Sequence, residues 1–160
     1  NSNDIVGPVL EFRRDGKMVY DLGGHINWWL GRTTHEEVVK KKDITHRNPD
    51  YISGAAMFVK RRVFEKIGLL DDRYFLYYED ADFCNRAKKA GFTIAIDPNV
   101  IIYHRLGASS GRHSITSLYH NLRSNLLFIN KNLIWWRKPI GWFYLLFLSG
   151  KVLLNWFFAK

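Results

Sequence analysis

Three carboxylates, Glu79, Asp80 and Asp82, crowd the start of a segment whose apolar or small residues, Phe83, Cys84, Ala87 and Ala90, are spaced as on one side of a helix. A carboxylate held at the first turn of a helix is placed to take a proton from a hydroxyl that is turning into a nucleophile. His104 follows the apolar residues 100–103 and leads into Gly107-Ala108-Ser109-Ser110-Gly111, where a loop could present an imidazole to a metal ion. Each group also has a plainer use. Acids at a helix start commonly serve as caps and dipole partners, and a histidine at a strand end is commonly just a satisfied polar residue. Asp82 is read as structural.

The elements that must position these groups are unevenly legible. Residues 5–12 read as a short strand interrupted by Gly7-Pro8, and Arg14-Asp15-Gly16-Lys17 supplies turn residues before Met18-Val19, so a hairpin is expected. Residues 32–50 are polar, with Lys40-Lys41-Lys42 in their middle, and read as a long loop, either a solvated excursion or a cover over a site. Residues 55–59 read as a buried strand, 62–67 as a short helix left at Gly68, and 79–90 as the acid-led helix ended by Gly91. Residues 92–96 and 100–103 read as two strands separated by an Asp97-Pro98-Asn99 turn. Residues 114–133 fit a helix with Leu118, Leu122, Asn125 or Leu126, and Ile129 along one side.

A chain of 160 residues, 47% apolar and with only 4 prolines, can bury one substantial core, which excludes disorder as a description of the whole. The net charge of +9 is unevenly spread: residues 1–100 are nearly balanced, whereas residues 101–160 carry 8 basic side chains and no acid. Those same 60 residues hold 12 of the 25 aromatics, a mixture that suits an anionic membrane surface at least as well as nucleic acid. From Ile140 to Gly150 the chain is almost wholly apolar, but Lys151 and Asn155 interrupt it before the ~18 uncharged residues of a spanning helix are reached. On a helical wheel Gly141, Tyr144, Lys151 and Asn155 fall near one line, leaving a broad face that includes Trp142, Phe143, Leu146 and Phe147. The expectation is a helix lying in the headgroup region, with a truncated or re-entrant membrane hairpin, or a core helix, as alternatives. The single cysteine, Cys84, excludes an internal disulfide and suggests a reducing compartment. The chain opens on Asn1 with no signal-peptide pattern, and a fragment of a longer polypeptide is expected.

The most specific pattern is a series: Ser53-Gly54-Ala55-Ala56-Met57-Phe58-Val59, then Phe64-Glu65-Lys66-Ile67-Gly68. It continues with Leu70-Asp71-Asp72-Arg73-Tyr74-Phe75-Leu76-Tyr77-Tyr78-Glu79-Asp80-Ala81-Asp82-Phe83-Cys84, Ala90-Gly91-Phe92 and His104. In order and spacing this resembles the C-terminal half of the catalytic domain of glycosyltransferase family 2, closest to bacterial rhamnosyltransferase-like members, over about residues 5–130. The resemblance implies that Asp80 is the base that deprotonates the acceptor in an inverting displacement and that Glu79 orients the acceptor or the base. It further implies that Ser53 and Gly54 line the sugar and acceptor side, and that His104 is a ligand to the Mn2+ or Mg2+ holding the donor diphosphate. Arg112, His113, Tyr119 and Arg123 are candidates for donor phosphate or lipid headgroups, or else solvated surface.

The family's nucleotide-binding strands and Asp-x-Asp metal motif are absent from these residues, so the isolated chain is expected to be inactive and its parent polypeptide a transferase. The fold expected is α/β, the C-terminal portion of a GT-A domain over residues 1–133, with an aromatic, basic, membrane-associating helical tail over 134–160. The expected donor is dTDP-rhamnose or, second, a UDP-sugar, and the acceptor a glycan or lipid-linked glycan. The expected location is peripheral, at the cytoplasmic face of a bacterial inner membrane. Two other classes compete: a catalytically inactive membrane-docking or partner protein, and a basic nucleic-acid-binding module. The second is disfavoured because the basic residues are spread singly between apolar blocks with no recognisable binding signature.

Overall fold

The computed structural model describes residues 3–105 and 115–158, with side chains of the last helix described as far as Gly150. Five strands form one mixed sheet. The central strand β1 (Ile5–Arg14) turns through Asp15-Gly16 into β2 (Lys17–Asn27), with Leu10 opposite Asp21 and Arg14 opposite Lys17, which is the expected hairpin. Contrary to expectation, Gly7-Pro8 does not interrupt β1. Pro8 sits at the register shift between β1 and β5 (Ile94–Tyr103), where a missing N–H disturbs the ladder least. For the same reason β5 is one strand rather than two. Asp97 pairs with Pro8 and Ile101 with Val9, so residues 98–100 bulge outward, closed by the Asn99 N–H donating to Oδ1 of Asp97 at 3.0 Å.

The polar run after Gly31 also departs from its reading as a loop. Strand β3 (Arg32–Val38) pairs antiparallel with β2, Asn27 opposite Arg32 and Tyr20 opposite Val38. It is an edge strand, half exposed along its length, so it shows little apolar alternation; the β-branched Thr33, Thr34 and Val38 are its main local signal. Only beyond Val38 does the chain become irregular, with a single 3-10 turn at Lys41–Asp43. This segment is tied back by isolated bridges from Arg47 to Ile96 and from Tyr51 to Gly24. The run at 55–59 yields just β4 (Phe58–Val59), paired with Val6 and Ile5 and exposed at Phe58. The residues before it fold into a turn, the Ala56 N–H donating to the Ser53 carbonyl.

The helices are α1 (Arg61–Ile67), α2 (Glu79–Lys89), α3 (Ile115–Asn132) and α4 (Lys138–Phe158). Helix α2 turns Ala81, Phe83, Cys84 and Ala87 inward, into a core shared with Ile5, Val9, Leu22, Ile52, Val63 and Ile96. Its acids lead and Arg86, Lys88 and Lys89 follow, in accord with the helix dipole, and Gly91 leaves it at φ +88°. Asp82 is structural, as expected: fully buried, it accepts from Arg86 at 2.9 Å, Lys131 at 2.8 Å and Asn132 at 2.9 Å. In α3 the buried stripe is Ser124, Asn125, Phe128 and Ile129: Asn125 and Ile129 of the expected line are in it, whereas Leu118 and Leu122 are only partly buried and Leu126 is exposed. That stripe wins because the helix must satisfy backbone carbonyls as well as fill space. The Ser124 hydroxyl donates to the Leu76 carbonyl at 2.8 Å and Asn125 to that of Gly31 at 2.7 Å.

Helix α4 rests on α3 through Gly141, whose missing side chain leaves room for Ile129; a Cβ there would stand 3.2 Å from it. Leu145 is buried in the same seam. The line on which Gly141 falls is therefore partly a packing side, while Phe143, Leu146 and Phe147 are each at least 70% exposed. Among the described residues no helix is long and apolar enough to cross a membrane.

Candidate active site

The site begins with two residues in an unusual backbone state. Tyr77 and Tyr78, at φ 67° and 70°, both lie in the left-handed region, which costs roughly 1–2 kcal/mol for each side-chain-bearing residue. Side-chain contacts hold them there. The Tyr78 hydroxyl accepts from Asn125 at 2.6 Å and its ring meets Phe128 at 5.3 Å, while the Tyr77 hydroxyl shares a hydrogen with Ser117 at 2.5 Å. The tight reversal starts α2 at once, with Glu79 and Asp80 in its first turn.

Asp80 is gripped by two backbone donors. Gly54 N–H donates to Oδ2 at 2.9 Å and Ala81 N–H to Oδ1 at 2.7 Å. These bonds favour the carboxylate, yet burial outweighs them and its pKa lies above the ordinary aspartate range. Glu79 is raised as well, first by burial and then by the neighbouring charge of Asp80. Its Oε2 is shut off from solvent with no hydrogen-bond partner, an acceptor left open. Of the two predicted residues of this turn, Gly54 meets the acid pair. A Cβ on Gly54 would stand 3.5 Å from Asp80 Cβ and 3.6 Å from Glu79 Oε1. Ser53 instead closes its own turn, its Oγ accepting from Ala55 at 3.4 Å.

A second group was not anticipated. Asp21, almost fully buried on β2, receives the Gly23 N–H at 2.8 Å and pairs through Oδ2 with Nδ1 of His35 at 2.7 Å. His35, on β3, is 44% exposed at its side chain and stands edge-on to the Tyr51 ring at 5.6 Å. Tyr51 fits because Gly24 has no side chain: a Cβ there would collide with the Tyr51 ring and the Thr34 carbonyl. The group is not visible in the sequence, because the polar run 32–50 hides the strand that carries His35. The β-branched Thr33-Thr34 before His35, two residues after Gly31, would have been the signal for a hairpin.

His104 leaves β5 with its N–H donating to the Glu11 carbonyl at 2.8 Å. No hydrogen bond or ion pair joins it to Asp80 or Glu79 among the described residues, and no three His, Cys, Asp or Glu side chains there gather as a metal site. One imidazole does not by itself fit a divalent ion, so no chemical step is derived through one. Arg123 is exposed and donates to the Arg73 carbonyl at 2.7 Å, bracing the segment before the acid pair. Tyr119 is exposed and packs edge-on to His120. Arg112 and His113 lie outside the described residues.

No family model matches the chain. Among curated proteins it is 32% identical over 99 residues to the N-acetylglucosaminyl-diphospho-decaprenol L-rhamnosyltransferase of Mycobacterium tuberculosis, covering 61% of this chain and 32% of that protein. It is also 32% identical over 82 residues to the low-salt glycan biosynthesis hexosyltransferase of Haloferax volcanii, 51% of this chain and 27% of that one. A dTDP-rhamnosyl transferase of Shigella flexneri is 30% identical over 89 residues, 51% of this chain and 30% of its own. The relatives are glycosyltransferases, two of them rhamnosyltransferases, as the resemblance in the sequence led one to expect. The chain spans about a third of their length.

Proposed function

We propose that this chain supplies the acceptor side of an inverting glycosyltransferase of the family 2, GT-A type, with Asp80 as the general base. The observation that carries the reading is the Asp80 carboxylate itself, clamped by the Gly54 and Ala81 N–H groups at the start of α2 and raised in pKa by burial. A base in that state has a fixed direction and a greater appetite for a proton than an ordinary aspartate. As the acceptor oxygen bonds to the sugar's anomeric carbon, its proton passes to Asp80 and the bond from that carbon to the diphosphate oxygen breaks. Attack opposite the leaving group inverts the centre. Glu79, beside Asp80 in the same first turn of α2, is proposed to orient the acceptor or the base.

The donor is proposed to be a nucleotide-diphospho-sugar, dTDP-rhamnose before a UDP-sugar, in line with the names of two of the relatives. The acceptor is proposed to be a glycan or lipid-linked glycan. His104 is offered as one ligand of a divalent ion whose remaining ligands come from outside the described residues; bound there, the ion would neutralise the departing diphosphate. The exposed Trp142, Phe143, Leu146 and Phe147, in a region without acids, support seating on an anionic membrane, which would put the enzyme at the cytoplasmic face beside lipid-linked substrates. The deciding experiment is Asp80→Asn in the intact enzyme. Transfer should fall by 10²-fold or more, on the order of a general base's contribution, with donor binding nearly unchanged; persistent transfer would remove Asp80 from the chemistry.

A further inference from the structure

Arg137 is a cation that the fold holds in place and does not neutralise. Among the described residues no ion pair includes it, and its Nε is shut off from solvent with no hydrogen-bond partner. Its contacts are aromatic instead. The guanidinium carbon stands 4.4 Å from the ring centre of Trp29 and 4.6 Å from that of Trp136, and the two indoles meet edge to face at 5.4 Å. The guanidinium thus lies in the angle between two indoles, which hold it by cation–π attraction.

This seat is built from distant parts of the chain. Trp29 lies in the turn from β2 to β3, where Asn27 Oδ1 accepts its N–H at 3.0 Å, and the same turn is tied to α3 by Asn125 donating to the Gly31 carbonyl at 2.7 Å. Trp136 and Arg137 belong to the 3-10 turn Trp135–Arg137 between α3 and α4, closed by the Arg137 N–H on the Ile134 carbonyl at 2.9 Å. The position of the cation is therefore set before any ligand arrives. Around it the surface is aromatic and open: Trp135 is 78% exposed, and Trp29, Trp136 and Ile134 are exposed as well. Lys138 follows and opens α4, whose first turn holds no acid, so the positive end of the helix dipole lies beside the guanidinium. Open tryptophans around a cation suit the boundary of a bilayer, where an indole meets headgroups and acyl chains together.

The missing partner is an anion. Part of the charge is withdrawn from water at Nε, so an acceptor at the terminal nitrogens gains more than it would at a fully hydrated side chain. A phosphate diester offers two oxygens that match the guanidinium fork. We propose that Arg137, seated between Trp29 and Trp136, binds the phosphate of an anionic phospholipid headgroup, with Trp135 beside it at the bilayer boundary. This rests on the membrane seating proposed above. It adds to that seating a specific headgroup contact, made jointly by the β2–β3 turn and the junction of α3 with α4, apart from the apolar face of α4.

The test is partitioning of the full chain onto vesicles of equal parts phosphatidylglycerol and phosphatidylcholine. Arg137→Gln should lower it at least about tenfold, beyond the roughly fivefold that one unspecific surface charge supplies. Arg137→Lys keeps the charge without the fork and should restore only part of the loss. Binding within about twofold of the unmodified chain in Arg137→Gln would overturn the proposal, and so would full binding in Arg137→Lys, which would reduce the site to unspecific charge.

If these variants perturb folding, the unmodified chain decides alone. Titration with dihexanoyl phosphatidylglycerol below its micelle concentration should move the indole N–H signals of Trp29 and Trp136 in proton–nitrogen NMR spectra, whereas inorganic phosphate at the same concentration should leave them in place. Indoles unmoved by the lipid would overturn the site, and equal movement with inorganic phosphate would overturn the lipid as its occupant. The seating of α4 fails separately. Moved indoles in a chain that does not sediment with vesicles would keep the headgroup site and dismiss the seating; unmoved indoles in a chain that does sediment would do the reverse.

Discussion

The Gly54 amide hydrogen bonds to Oδ2 of Asp80 at 2.9 Å, joining residues 26 apart in sequence. This one bond makes the turn at 53–56 and the start of α2 a single unit, so the direction of the carboxylate depends on both. It also explains why 55–57 fail to join the sheet as a strand: their backbone is bent to bring Gly54 to the acid.

The pH profile should carry the mark of burial at Asp80. A group whose folded pKa is raised is protonated at pH values where an ordinary aspartate is already ionised. The acid limb of log kcat/KM is therefore expected to lie above about pH 4, falling with unit slope as pH drops through the raised value. A profile flat down to pH 4 would contradict both the burial and the assignment.

Gly24 offers a steric test of the wall beside the site. In Gly24→Ala the new methyl has no room between the Tyr51 ring and the Thr34 carbonyl, so Tyr51 must leave. A loss of about 2 kcal/mol in urea unfolding is expected, within the range for overpacking. Gly54→Ala meets only ordinary contact distances and should cost clearly less. Equal losses would mean that Tyr51 is not seated on Gly24.

Asp82 should prove a stability residue. Removing it in Asp82→Ala leaves Arg86 and Lys131 without their buried partner, a change expected to cost about 3 kcal/mol in urea unfolding. A loss below about 1 kcal/mol would show that the network is not a closed, buried one.

Cys84 should be inert in the folded chain. Burial pushes its thiol up to about 12, and Sγ is occupied by the Ile52 N–H. Alkylation by iodoacetamide at pH 8 should be at least about 100-fold slower in buffer than in denaturant, since the thiolate fraction and access are both suppressed. Comparable rates would place the thiol at the surface.

Replacing Trp142, Phe143 and Phe147 together by Ser should release the chain from anionic vesicles, since these side chains make up much of the exposed face of α4. Raised salt should weaken what remains. Unchanged sedimentation with vesicles would remove the proposed membrane seating.

Legibility in the sequence followed how local each feature is. The acid-led helix, its exit at Gly91 and the 14–17 hairpin rest on neighbours a few residues away, and all could be read; for Asp82 only the Arg86 partner is local, Lys131 and Asn132 coming from α3. Continuous β1 and β5 could not, since Pro8 and Pro98 are tolerated only because the two strands shift register opposite each other. Strand β3 was hidden by its exposure: an edge strand shows no buried face to alternate. The Asp21–His35 pair was hidden with it, because nothing joins residues 21 and 35 until β2 and β3 are laid together. Tyr77 and Tyr78 carry no local sign of positive φ either; their conformation is imposed by Asn125, Phe128 and Ser117 from a helix that begins much later in the chain.

The seat of Gly141 on Ile129 has a mechanical meaning. Ile129 lies one turn from Asn125, Asn125 grips the Tyr78 hydroxyl, and Tyr78 adjoins Glu79 and Asp80. With α4 resting on a bilayer as proposed, this train of contacts acts as a gauge block rather than a leash. The acid pair would stand at one set height above the headgroups, and a lipid-borne sugar would be taken or refused according to how far its hydroxyl projects.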